Sequence, residues 1–396
     1  MKIPLIDLKR QHQALQAELE AAVQKVLVSG SYIMGENVKA FEKEFADYIG
    51  VKHAIAVGNG TDALVIALKA LGIGPGDEVI TSPFTFFATA ESISAVGAKP
   101  VFVDVRLDSF NLDEMQIEAK INHKTKAILP VHIFGQPCEM DIINDIAAKY
   151  NLYVIEDACQ AVSAEYKGKK AGALADIACF SFFPTKNLGC AGDGGMITTD
   201  NDNLAIICKA LRVHGSGEAG QKAFNLLNNI NESTLGKKQG DNTVYNPLKY
   251  YNYLKGYNSR LDEIQAAILR IKLRMLDEYQ LQRHAHANYY CEALQGTEFI
   301  RPVAIDNTKH AYHMYILQHE NRSTVTEYLK AKGVATGIYY PIPLHLQKAY
   351  TNLGYKPGDL PHAEYLSHRT FAVPCFPELT AAERDYVVEV LKEAVG

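Results

Sequence analysis

Lys186 is the residue whose neighbours best fit it for covalent chemistry. It lies in Cys179–Thr199, CFSFFPTKNLGCAGDGGMITT. An apolar, β-prone run from Ile177 to Phe183 stops at Pro184, and the lysine follows in the turn. Gly189, Gly192, Gly194 and Gly195 then strip side chains from the connection before a second short strand opens at Met196. Two strands flanking such a connection would hold the amine inside a packed layer. Desolvation there disfavours the ammonium and frees a nucleophilic amine suited to Schiff-base chemistry. Alone, the same lysine could be a solvated surface charge, as most lysines are.

Two further groups decide between those readings. Tyr153–Ile155 reads as a buried strand with Glu156-Asp157 at its carboxyl end, where open α/β sheets bind ligands. Upstream, the apolar strand His53–Val57 runs into Gly58-Asn59-Gly60-Thr61-Asp62 and then a helical pattern with Leu64, Ala67, Leu68 and Leu71 on one face. Small residues and the free N–H groups of a first helical turn make a phosphate seat, to which the Thr61 hydroxyl adds a donor. An ordinary turn capped by Thr61 or Asp62 would look the same. A reactive lysine, a strand-end carboxylate and a phosphate seat together describe pyridoxal 5′-phosphate (PLP). The lysine would form the imine, the carboxylate would pair with the pyridinium nitrogen, and the helix terminus would hold the phosphate.

With these residues in view, the chain resembles the DegT/StrS family, the nucleotide-sugar aminotransferases of PLP fold type I, along nearly its whole length. The motifs are GNGTDAL, SPFTFFATA, PVHIFGQP, IEDACQA, SFFPTKNLGCAGDGG, GYNSRLDEIQAAIL and YYPIPLHL. The FFPTKNLG form is most similar to enzymes that aminate C3 of a keto-sugar nucleotide, with C4 amination as the alternative. The resemblance implies that Lys186 and Asp157 are catalytic. It places Gly60, Thr61, Asp62 and Ser181 at the phosphate seat, Phe86 on the pyridine face and Gln160 at the ring hydroxyl. It has Asn258 and Arg260 enter the neighbouring subunit's site, Asn258 toward the phosphate and Arg260 toward substrate anions. His313, Tyr340 and His345 fall in stretches that contact substrate. The implied partners are a UDP- or dTDP-linked keto-sugar, L-glutamate as donor leaving 2-oxoglutarate, and a second copy in a homodimer. The implied setting is amino-sugar and glycan biosynthesis, such as O-antigen or lipopolysaccharide. Related sugar dehydratases carry histidine in place of the Schiff-base lysine, and Lys186 argues against that activity. A PLP-bound regulator without turnover is the other class.

These residues need a scaffold. Strands are expected near 53–57, 78–81, 100–103, 126–131 and 153–156 with helices between, which predicts an α/β fold with a mainly parallel sheet covered on both faces. A helix is expected over 11–28, with Leu15, Leu19, Ala22, Val23 and Val26 on one stripe and Gly30 ending it. The length of 396 residues predicts two lobes, a large PLP-binding domain over 1–275 and a smaller C-terminal α/β domain over 276–396. Phe84 and Phe87 read as core aromatics.

Hydrophobic content of 47% secures a core, and a net charge of -5 without basic blocks sets nucleic acid aside. The N-terminus lacks a signal-peptide core and no apolar run is long enough to span a bilayer, so no membrane role and a cytoplasmic location are expected. Seven cysteines without C-x-x-C spacing read as reduced thiols, and thirteen histidines without H-E-x-x-H spacing give no metal site. Gly215–Gly220 fits G-x-G-x-x-G, but helix precedes it and no βαβ unit surrounds it, so no dinucleotide site is expected. The stretch 216–253 is longer than the family's usual pattern, and reads either as a tolerated surface insertion or as a lid over the sugar nucleotide.

Overall fold

The computed structural model describes residues 1–230 and 250–395; most of the longer-than-usual stretch, 231–249, lies outside the described residues. Seven strands form the central sheet: β1 (His53–Val57), β2 (Glu78–Thr81), β3 (Lys99–Phe102), β4 (Thr125–Leu129), β5 (Tyr153–Asp157), β6 (Ile177–Ser181) and β7 (Gly195–Thr199). Their order across the sheet is β1-β7-β6-β5-β4-β2-β3. Only β7 runs against the others, pairing antiparallel with both β1 and β6. The carboxyl ends of β1, β2, β5 and β6 therefore share one edge, and the chemistry-bearing residues follow those ends.

Alternation along β6 sets which residues reach that edge. Phe180 and Phe182 are fully buried on one face, edge-on to Phe45 and Phe41 at 5.1 and 5.4 Å. Phe41 and Phe45 belong to the helix Glu36–Ile49, and each buried ring contributes roughly 2–3 kcal/mol of transfer free energy. Ser181 turns to the opposite face. The same period separates Glu156 from Asp157 on β5. The Glu156 carboxylate is fully buried and accepts from the Gly172 and Leu174 N–H groups at 2.7 and 2.8 Å. It also lies 3.0 Å from His132 Nε2. Because His132 Nδ1 accepts from the Cys138 N–H at 3.1 Å, Nε2 carries the ring proton and donates to Glu156. That pair staples the loop after β4 beneath Asp157.

The expected helix over 11–28 spans Leu8–Ser29, starting earlier because Asp7 accepts from the Lys9 and Arg10 N–H groups at its cap. The stretch Gly215–Gly220 follows the helix Asp202–Leu211 and not a strand, and Gly217 opens the helix Gly217–Leu227, so it lacks the strand that a dinucleotide-binding loop follows. In the C-terminal part, Tyr315–Gln318 pairs antiparallel with Thr370–Val373. A core there includes Tyr290, Tyr315, Leu329, Phe371 and Leu391, and Ile3 from the chain's start joins it. Leu344, Tyr350 and Leu366 pack instead into the core of the central sheet. The C-terminal part thus lies directly against the carboxyl edge of the strands.

No helix among the described residues is long and apolar enough to cross a membrane. All seven cysteines are free.

Candidate active site

At the carboxyl edge a cavity of about 660 Å³ gathers Gly60, Thr61, Asp62, Phe86, Asp157, Gln160, Ser181, Lys186, His313 and Tyr340. These are ten of the residues singled out in the sequence. Asn258, Arg260 and His345 do not line it. A second cavity of about 530 Å³, walled by Leu19, Val23 and Ile268, brings none of these residues together.

Lys186 follows β6 in a turn closed by its own N–H to the Phe183 carbonyl at 2.8 Å. The side chain keeps partial exposure through the cavity mouth, but the amine lies deep enough for burial to lower its pKa. Asp157 and Cys159 act weakly in the opposite direction. Burial pushes the neighbouring Cys159 thiol well above its usual value, which leaves it inert beside the amine.

Asp157 is 5% exposed. One oxygen accepts from the Cys159 N–H at 3.2 Å and the other from the Thr89 hydroxyl at 2.8 Å. Since Thr89 spends its only proton on Asp157, the Thr85 hydroxyl 3.0 Å away must donate to Thr89. Gln160 uses both ends of its amide: the oxygen accepts from the Phe134 N–H at 2.7 Å and the nitrogen donates to the Tyr340 hydroxyl at 2.9 Å. Burial raises the Tyr340 pKa, so this hydroxyl keeps its proton.

The helix that starts at Gly60 is capped by Asn59, whose side chain accepts from the Asp62 N–H at 2.8 Å. Neither Thr61 nor Asp62 is the cap, because the cap position falls one residue before the first helical turn. The Gly60 and Thr61 N–H groups, at the first two helical positions, have no intrahelical acceptor and stand at the cavity. Glycine is required at two places here. A Cβ at Gly60 would lie 2.8 Å from Ser181 Cβ, and one at Gly195 would lie 2.4 Å from the Asn59 carbonyl oxygen. Those close approaches bring the helix terminus onto β6 and β7.

PLP fits this donor set. Its phosphate would find a helix N-terminus with two hydroxyls, its ring nitrogen a carboxylate with spare lone pairs, and its carbonyl a desolvated amine. Phe86, 60% exposed, stands at the cavity as a free aromatic face, whereas Phe84 is fully buried and Phe87 partly so.

The residues that do not line the cavity have other surroundings. His345 is buried with Nε2 3.1 Å from Glu364 and its ring against Tyr355, which directs that nitrogen into the fold and away from the cavity. Asn258 is exposed and pairs by backbone with Val213. The hydroxyl of Ser259, between Asn258 and Arg260, accepts from the Gly58 N–H at 2.9 Å. Thr85, Thr89, Thr185, Asp193 and Tyr339 line the cavity without having been singled out. Thr89 had a signal, since it lies one helical turn beyond Thr85 within the motif SPFTFFATA.

Behind the cavity wall, His310 is buried, stacked on Tyr312 at 4.1 Å, with Nδ1 accepting from the Tyr312 N–H. Burial lowers its pKa to about 3. Below about pH 6.5 the unfolded chain binds this proton and the folded one does not, so stability is unaffected above that pH and falls by roughly 1.4 kcal/mol per unit below it. Urea unfolding at about pH 7 and about pH 5 should show an acid loss smaller in His310→Gln than in wild type by roughly 2 kcal/mol. An equal loss in both proteins would refute the buried neutral ring.

The sequence profile of the DegT/DnrJ/EryC1/StrS aminotransferase family matches residues 13–392. The chain is 45% identical to a "pleiotropic regulatory protein" of Geobacillus stearothermophilus, over 99% of this chain and 98% of the relative. It is 40% identical to the UDP-N-acetyl-3-dehydro-alpha-D-glucosamine 3-aminotransferase of Acidithiobacillus ferrooxidans, again over 99% and 98%. The crystal structure of NtdA from Bacillus subtilis with bound cofactor PMP superposes with a TM-score of 0.84 at 32% identity, covering 100% of this chain and 85% of that one.

Proposed function

Because this chain belongs to the DegT/DnrJ/EryC1/StrS aminotransferase family, whose enzymes depend on PLP, we propose that it transfers an amino group from L-glutamate to C3 of a UDP- or dTDP-linked keto-sugar. The observation that carries this reading is the convergence of Lys186, Asp157 and the Gly60 helix terminus on one cavity. Relatives named as aminotransferases of 3-dehydro and 3-oxo UDP-sugars support the substrate class.

When bound, PLP supplies a carbonyl that condenses with amines and a ring that accepts the electron pair freed at the donor's Cα. The chain's residues do the rest. Lys186 would hold the cofactor through its amine and, when free, would move the proton at Cα, a task suited to an amine whose pKa burial lowers. Asp157, held by Thr89 and Cys159, keeps the proton on the ring nitrogen. Gly60, Thr61 and Ser181 bind the phosphate, Asp62 sits in the same first turn, Phe86 covers the ring, and Gln160 fixes its hydroxyl side. Tyr340 and His313 face the substrate. Asn258 and Arg260 of a second copy complete the site in a homodimer.

The regulatory name of the Geobacillus relative keeps a second reading in play, a PLP binder without turnover. One assay separates them. Glutamate added to the holoenzyme should convert the cofactor's visible absorbance to that of the aminated form, and a panel of UDP- and dTDP-linked 3-keto and 4-keto sugars should restore it with release of amino sugar. Restoration by 4-keto sugars alone would overturn C3 amination, and no spectral change with any amino acid would overturn the transaminase reading.

A further inference from the structure

Asn187 stands one residue past Lys186, and its side chain forms a buried bridge to Ala311 and His313. The amide nitrogen donates to the Ala311 carbonyl oxygen at 2.9 Å. A carbonyl oxygen can only accept, so this bond determines which end of the amide is nitrogen. The amide oxygen is then the atom 3.1 Å from His313 Nδ1, and an amide oxygen also only accepts. Nδ1 must therefore carry a proton. His313 is 6% exposed, and burial, followed by the charges of Lys186 and Arg283, drives its pKa well below the usual imidazole value. A neutral ring has one proton, so Nε2 is left as a bare lone pair on a ring that lines the cavity.

The backbone around this ring is already fixed. The Ala311 N–H donates to Gly135 at 2.7 Å and the His313 N–H to Phe134 at 2.9 Å. Arg283 donates to the Tyr312 and Cys375 carbonyls at 3.1 and 2.8 Å. What remains free is which nitrogen of the ring is protonated, and the contact that decides it is Asn187.

We propose that Asn187 is a positioning residue for amine transfer: it locks His313 as the neutral Nδ1–H tautomer, so the cavity wall beside Lys186 presents a hydrogen-bond acceptor and no added positive charge. The consequence rests on the transaminase reading, while the tautomer stands without it. Lys186 becomes an ammonium each time it takes the Cα proton, and an imidazolium beside it would oppose that step. A lone pair at Nε2 suits a ligand bearing a hydroxyl or amine hydrogen at this place, as a sugar does.

The ring's state can be read directly in holoenzyme labelled with 15N-histidine, taking the His313 signals as those lost in His313→Gln. At about pH 7 the expected pattern is a protonated, pyrrole-type Nδ1 and an unprotonated, pyridine-type Nε2. The reverse pattern, or an imidazolium, overturns the assignment whether or not the protein turns over. Asn187→Asp keeps an acceptor toward Nδ1 but adds a charge that favours the imidazolium against Lys186 and Arg283. Its glutamate half-reaction should lose about tenfold in rate between pH 8 and pH 6 relative to the wild-type profile. Superposable profiles in a variant that still binds PLP would overturn the positioning role.

Discussion

Lys186→Ala is expected to abolish amine transfer, by at least about a thousandfold, because in the proposed mechanism one side chain both attaches the cofactor and moves the proton. Borohydride should fix the visible chromophore of the wild-type protein covalently to Lys186, and the variant should bind PLP without any such linkage. The choice of lysine is discriminating. Burial also lowers the pKa of Lys170 and Lys272, so a depressed pKa alone would name three candidates. Lys170 lies against the Tyr48 ring, its amine 3.4 Å from the centroid, and Lys272 donates to the Gly189 carbonyl at 2.8 Å. Neither lines the cavity that holds Asp157 and the helix terminus. Lys170→Ala and Lys272→Ala should therefore retain the borohydride adduct at Lys186. Peptide mapping that finds the adduct on either of those residues would sink the assignment.

The parts of the site legible in the sequence are those dictated by strand ends. A parallel sheet sends every carboxyl end to one edge, so recognising strands at His53–Val57, Glu78–Thr81, Tyr153–Ile155 and Ile177–Phe183, the last two of which run Tyr153–Asp157 and Ile177–Ser181 in the fold, already brings Thr61, Phe86, Asp157 and Lys186 together. Period-two alternation adds which of Glu156 and Asp157 faces the cavity only once the packing around His132 is known. The side-chain bridges were not legible. Thr89 to Asp157 and Asn187 to His313 join residues far apart in the chain, and no periodicity encodes which hydroxyl or amide meets which partner. His345 shows the converse limit: a motif can carry a residue near a site while its side chain satisfies Glu364 elsewhere.

Two proteins that are each inactive are expected to regain activity when mixed. The reason lies in the charges of the cavity wall. Asp62, Asp157 and Asp193 line it, and Lys186 is the only cation to do so among the described residues. A phosphate dianion and a nucleotide diphosphate need more donors than one amine whose pKa burial lowers. Asn258 and Arg260 have the right chemistry, yet in their own chain they stay outside the cavity, with Asn258 exposed. A second copy that inserts them would supply the missing donors. Asn258→Asp would set a carboxylate against the phosphate and should abolish cofactor retention, while Lys186→Ala removes the linkage. When subunits exchange, a mixed dimer holds one site with Lys186 from one chain and native Asn258 from the other, and one site with both lesions. Random reassortment makes about half the dimers mixed, so activity should recover to roughly one quarter of wild type. If Asn258 served the site of its own chain, every site would keep a lesion. Subunit exchange verified by mass spectrometry with no recovered activity would then refute the shared site.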